Sequence, residues 1–130
     1  MSNESMKFRS DTKRVKGLGA SKSGFGHWWM QRITGTLLIP CGLYLLISLT
    51  ALEITDASVV VTWMSHPFNG IVTLLFALAA SYHGALGIQV VLEDYVHNHA
   101  VNLTLRFLTM VLMIVMMMVS IYSVASILLG

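Results

Sequence analysis

The residues most able to do chemistry sit close together in the run Ser81-Tyr82-His83-Gly84-Ala85-Leu86-Gly87-Ile88-Gln89-Val90-Val91-Leu92-Glu93-Asp94-Tyr95. His83 stands deep in an apolar stretch, and an ionisable side chain buried in a membrane span loses its hydration unless a partner takes its ring nitrogens. Three kinds of partner satisfy an imidazole there: an interhelical hydrogen bond to a serine or a carbonyl, the iron of a haem bound axially, or a relay of groups that passes a proton or an ion. On a helix advancing about 100° and 1.5 Å per residue, Gly87, Val90 and Asp94 fall within about 40° of His83 on one face. Gly84 and Gly87 leave that face without side chains, so a flat bulky group or a neighbouring backbone can approach closely. Asp94 and Tyr95 follow about 17 to 18 Å further on, at the polar boundary, as a hydrogen-bonding pair.

The remaining titratable side chains carry weaker signals. His97 and His99 are two apart in a connection and read as solvated loop residues rather than a metal pair, and His66 precedes a proline at a span boundary. His27 belongs to the interfacial segment Gly24-Phe25-Gly26-His27-Trp28-Trp29-Met30-Gln31-Arg32, whose adjacent tryptophans are anchors at a membrane surface. Arg32 closes that segment, where its guanidinium can meet a carboxylate or a propionate at the boundary. Met110, Met113, Met116, Met117 and Met118 do not share one face and read as packing residues. No nucleotide-binding loop, Ser/His/Asp set or zinc spacing occurs, and nothing in the pattern asks for a nucleic acid. Cys41 is the single cysteine, so neither an intrachain disulfide nor a cysteine metal cluster can form.

The elements that must position these groups are membrane spans. Of the 130 residues, 55% are hydrophobic and only 11% charged, against about 25% charged in soluble domains. Residues 33–52, 68–92 and 107–129 are each free of charge or nearly so and long enough to cross a hydrocarbon core of about 30 Å, giving an all-α integral membrane fold of three transmembrane helices. Pro40 lies inside the first span and predicts a kink there. Residues 1–32 form a basic tail with an interfacial end, and residues 33–130 the transmembrane anchor domain. The tail lacks the apolar core of a signal peptide and is too rich in lysine and acids for a mitochondrial transit peptide. It fits a solvated basic segment held near anionic lipid.

Charge placement chooses the sides. Seven of the eight Lys and Arg residues precede position 33 and the eighth is Arg106, whereas residues 53–67 hold Glu53 and Asp56 without a cation. Cationic residues stay in the cytoplasm, which predicts a cytoplasmic N-terminus and a C-terminus on the opposite side. Asp94 and Tyr95 then emerge on the cytoplasmic side together with His27, Trp28 and Arg32. Three helices of this length bury little among themselves, so a self-sufficient enzyme is not expected. A single mid-span histidine also means that a bis-histidine haem would need its second ligand from another polypeptide.

His83 followed by ten residues and Asp94-Tyr95, with Gly87 and Gln89-Val90 in that interval, resembles the D-type hydrophobic membrane anchor of succinate dehydrogenase, respiratory complex II. Trp28-Trp29 and Arg32-Ile33-Thr34 at the start of the first span are similar as well. The likeness covers the chain from about Gly24. It implies a subunit that is not catalytic alone. Such a subunit pairs with a C-type cytochrome b anchor and holds the iron–sulfur and flavoprotein subunits on the membrane while electrons pass from succinate to ubiquinone in the tricarboxylic acid cycle and respiratory chain. By the same resemblance His83 is an axial ligand of haem b shared with the second anchor, Tyr95 hydrogen-bonds a quinone carbonyl, Asp94 supports that site, and Arg32 lies beside the haem propionates. The implied location is the bacterial cytoplasmic (inner) membrane, with the mitochondrial inner membrane as the alternative. Two other readings stay open at this point: a fumarate reductase-type anchor, and a small proton- or ion-translocating protein that uses His83 and Asp94.

Overall fold

A computed structural model describes residues 24–130; the segment before Gly24, with six of the eight Lys and Arg residues, lies outside the described residues. Four helices follow one another, α1 Gly24–Thr50, α2 Ala57–Ser65, α3 Pro67–Tyr95 and α4 His99–Leu129, with no strand among the described residues. Helices α1, α3 and α4 are long and apolar enough to span a membrane.

Each long helix extends past the apolar run that announces it. α1 begins nine residues before position 33, because Phe25, Trp28 and Trp29 recur at helical spacing and stack with ring centroids 6.1 to 6.4 Å apart. Charge marks where the hydrocarbon stops, and the helix continues into the interface where side chains meet water and headgroups. α1 runs unbroken through Pro40. α3 starts with Pro67 in the first turn, where a missing N–H costs nothing, and is continuous from there to Tyr95. Asn102 closes its far end by donating through Nδ2 to the carbonyls of Leu92 (2.6 Å) and Val96 (3.2 Å). Asn98 begins α4 as its N-cap, accepting from the amides of Ala100 and Val101 at 3.1 and 3.2 Å.

The connection after the first span folds into α2, which the sequence pattern did not reveal. Asp56 caps it, accepting from the Ser58 amide at 2.7 Å and from the Ser58 hydroxyl. Those bonds, the hydroxyl's foremost, hold the exposed Asp56 carboxyl below its ordinary range. Asn69 ties α2 to the spans: its Nδ2 donates to the Trp63 carbonyl at 2.8 Å, and its Oδ1 accepts from the Tyr44 hydroxyl.

The long helices form a row rather than a triangle. α3 packs against both α1 and α4, while α1 and α4 do not pack on each other. Little is therefore enclosed: among the described residues only Thr34, Cys41, Gly70, Ala79, Ala85, Leu86 and Val124 are buried. The seams are made of small residues, as expected where lipid supplies no hydrophobic drive between helices and close backbone approach supplies the contact instead. Gly70 shows how close the approach is, since a Cβ there would stand 2.8 Å from Leu128 Cδ2 and 2.9 Å from the Met64 carbonyl oxygen.

Candidate functional site

The α1–α3 seam carries the polar groups. On α1 they are His27, Gln31 and Thr34, spaced i, i+4, i+7 and hence on one face. That face meets His83, Gly87 and Gln89 of α3. Deepest is the contact of Thr34 Oγ1 with His83 Nδ1 at 3.1 Å. Thr34 is buried, and its hydroxyl also donates back along α1 to the Met30 carbonyl at 2.8 Å. Nearer the boundary His27 Nε2 donates to Gln89 Oε1 at 3.3 Å. Between these two contacts lies Gln31, beside the side-chain-free surface of Gly87, with its Oε1 buried and lacking a hydrogen-bond partner among the described residues.

The His83 ring rests on Gly35. A Cβ at that position would lie 3.1 Å from Cε1 and 3.6 Å from Nδ1, so any larger residue would make the imidazole give by a few tenths of an ångström. The ring is half-buried, and its Nε2 makes no hydrogen bond to any described residue. His83 forms part of the wall of a groove of about 400 Å³, with Trp28, Gln31, Arg32, Gly35, Thr36 and Ile39 as the rest. Arg32 sits at this groove with its guanidinium 5.4 Å from the Trp28 ring centroid, a cation–π contact that holds the charge at the membrane surface. A second groove, of about 380 Å³, gathers Gly24, His27 and Gln31 from the start of α1, Glu93 from the end of α3 and Arg106 from the start of α4. Arg106 Nη1 and Glu93 Oε1 pair there at 3.0 Å, largely exposed, which clips α3 to α4 with little net stabilisation.

Of the four residues singled out in the sequence, His83 and Arg32 therefore share one groove. Asp94 and Tyr95 occupy the last turn of α3, at the end of the molecule where His27 and Arg106 also lie. Both are exposed, Tyr95 to 77%, and neither side chain has a hydrogen-bond partner among the described residues. No cluster of three or more potential metal ligands occurs among the described residues, and His97, His99 and His66 make no side-chain contact that joins them to the grooves. Three residues gain a place that their sequence did not announce: Thr34, Gln31 and Gly35. The i, i+4, i+7 spacing of His27, Gln31 and Thr34 in an otherwise apolar helix was the available signal.

The arrangement offers one imidazole nitrogen to a Lewis acid, apolar walls at Trp28 and Ile39, and a guanidinium at the rim for a carboxylate. Known proteins of similar sequence give it context. Residues 6–123 match the family described as succinate dehydrogenase/fumarate reductase transmembrane subunit. A succinate dehydrogenase hydrophobic membrane anchor subunit of Rickettsia bellii is 37% identical over 98 residues, 75% of this chain and 78% of that protein. Its counterpart in Rickettsia conorii is 32% identical over 109 residues, 83% of this chain and 86% of that protein. A succinate dehydrogenase membrane anchor subunit of Reclinomonas americana is 35% identical over 101 residues, 75% of this chain and 83% of that protein.

Proposed function

The chain belongs to the succinate dehydrogenase/fumarate reductase transmembrane subunit family as a multi-pass membrane anchor, and from that premise we propose that His83 is an axial ligand of haem b in a succinate:ubiquinone oxidoreductase. The observation that carries this reading is the His83 ring itself: one nitrogen is held by Thr34 and the other has no partner among the described residues, in the wall of a groove that also holds Arg32. Histidine nitrogen is an ordinary axial ligand to haem iron, and a guanidinium pairs well with propionate carboxylates. The groove fits such a group in two respects: Trp28 and Ile39 supply apolar sides, and Arg32 supplies a cation for carboxylates. When bound, haem supplies a one-electron couple whose potential is tuned by its ligands and their hydrogen bonds.

The chain's own part is binding and positioning. Tyr95 presents a phenol hydroxyl that donates a hydrogen bond to a ubiquinone carbonyl. Asp94 beside it accepts hydrogen bonds that order the site. The exposure of both side chains accords with a quinone site completed by other subunits: a C-type cytochrome b anchor carrying the second haem ligand, with the iron–sulfur and flavoprotein subunits docked on the Tyr95 side. In this reading that side is cytoplasmic, the C-terminus lies across the bacterial inner membrane, and electrons released from succinate reach ubiquinone at the end of α3 where Tyr95 stands.

His83→Leu tests the assignment. In membranes containing the assembled complex, the b-type reduced-minus-oxidised spectrum is expected to weaken or shift while the four subunits remain associated. An unchanged spectrum removes His83 from the ligand set.

A further inference from the structure

The hydroxyl of Thr34 has one proton, and its shortest contact assigns that proton to the Met30 carbonyl, at 2.8 Å, with the Gln31 carbonyl longer at 3.3 Å. The oxygen then faces His83 Nδ1, 3.1 Å away, with only lone pairs to offer. A hydrogen bond across that distance requires the proton to be on Nδ1, which leaves the lone pair of the neutral imidazole on Nε2. Burial of Thr34 keeps water from replacing this contact, and the ring edge lies close against α1 at Gly35, one residue on. We propose that Thr34 is a positioning residue for the haem-ligating nitrogen of His83: its back-bonded hydroxyl fixes the Nδ1–H tautomer, orients the ring and sets the haem potential by accepting from Nδ1–H.

This rests on the reading of His83 as an axial ligand and adds to it a direction of effect. An acceptor on the far nitrogen raises the basicity of a metal-bound imidazole and favours the more positive metal, here ferric iron over ferrous. Polarisation of the hydroxyl by the Met30 carbonyl is part of the device, because a hydroxyl already donating there cannot reverse the bond and donate to an Nδ1 lone pair, which would put the ring proton on Nε2. Loss of the hydroxyl leaves Nδ1–H unpaired in a buried seam, weakens the preference for ferric iron and moves the midpoint potential upward. A tenfold loss of that preference equals about 59 mV for a one-electron couple.

The experiment uses the four-subunit complex in membranes and compares Thr34→Val, Thr34→Ser and His83→Leu. The readouts are redox titration of the b-type absorbance and the electron paramagnetic resonance spectrum of the ferric haem, neither of which depends on turnover. Thr34→Val is expected to retain haem with a raised potential and a shifted ferric spectrum, and Thr34→Ser to restore both. Potential and spectrum unchanged in Thr34→Val, or equal shifts in the Val and Ser variants, overturn the role of the hydroxyl while leaving His83 as a ligand. An unaltered haem signal in His83→Leu instead overturns the ligand assignment, and the proposal with it. Thr34→Ala takes the place of Thr34→Val, with the same outcomes, should the valine variant fail to assemble.

Discussion

At the residue scale the polar groups of this chain are few and each is costly to place. Asp94 lies in the last turn of α3, where the negative end of the helix dipole disfavours a carboxylate by about 0.3–1 kcal/mol at an exposed site. Tyr95 beside it leaves a phenol hydroxyl without a partner. Neither placement helps the isolated chain, and both suit a site finished by another surface. Tyr95→Phe is expected to cut quinone reduction by at least tenfold, the loss of one hydrogen bond that strengthens in the transition state. Succinate oxidation by an artificial acceptor should be largely retained, and an unimpaired quinone rate in membranes would discard the role of the phenol. His83, Arg32, Asp94 and Tyr95 were legible in the sequence because ionisable groups stand out against an apolar background. Thr34 was not, because a threonine in a span ordinarily bonds its own helix, and the partner that gives it meaning lies 49 residues away. Gly35 was hidden for a similar reason, since its smallness matters only once the imidazole edge from α3 lies upon it.

At the scale of the elements, the three spans were readable from hydropathy and length, whereas their ends were not. Absence of charge delimits the hydrocarbon layer, and helices end where capping groups satisfy the last amides and carbonyls, as Asn98 and Asn102 do at the α3–α4 connection. The short α2 escaped notice because Val59, Val60 and Val61 are poor helix formers, and the Asp56 cap that offsets them is a single residue in a loop. Gly70 is the point where α2, α3 and α4 converge. Gly70→Ala would force its Cβ against the Met64 carbonyl and the Leu128 side chain, and the backbone oxygen can yield only by moving α2. Overpacking of this kind costs about 1–3 kcal/mol. A lowered midpoint in thermal denaturation of the purified complex is the expected result, with the haem spectrum retained because Gly70 lies at the other end of α3 from the His83 groove. A variant as stable as the parent would show that α2 can shift freely.

At the scale of the whole molecule, three spans laid side by side enclose almost nothing. The seven buried positions are mostly small, and Leu, Ile, Val, Met and Phe side chains along α1 and α4 remain exposed on both broad faces. Lipid accounts for one face, and a second anchor on the other is consistent with a groove that presents His83 on only one side. The sequence pointed to a partner, because three spans of this length bury little among themselves and a bis-histidine haem would find only one mid-span histidine here. It did not show that the spans form a row, because that follows from which small residues meet which neighbour. The placement of Arg32 and Arg106 at one end of the row, with the cation-free α2 at the other, accords with a cytoplasmic Tyr95 end. Alkaline phosphatase fused after Gly130 is accordingly expected to be active, and the same reporter inserted after His97 inactive. The reverse pattern would turn the protein over and move the quinone site across the membrane.

Because α1 and α4 never touch, the wall around the imidazole is complete as soon as the second long segment has entered the bilayer. During synthesis the cleft lined by His83 is thus built while the last segment is still emerging, and the final insertion adds breadth at the far side of the row. A nascent chain halted shortly after Tyr95 would already display the open edge of that ring.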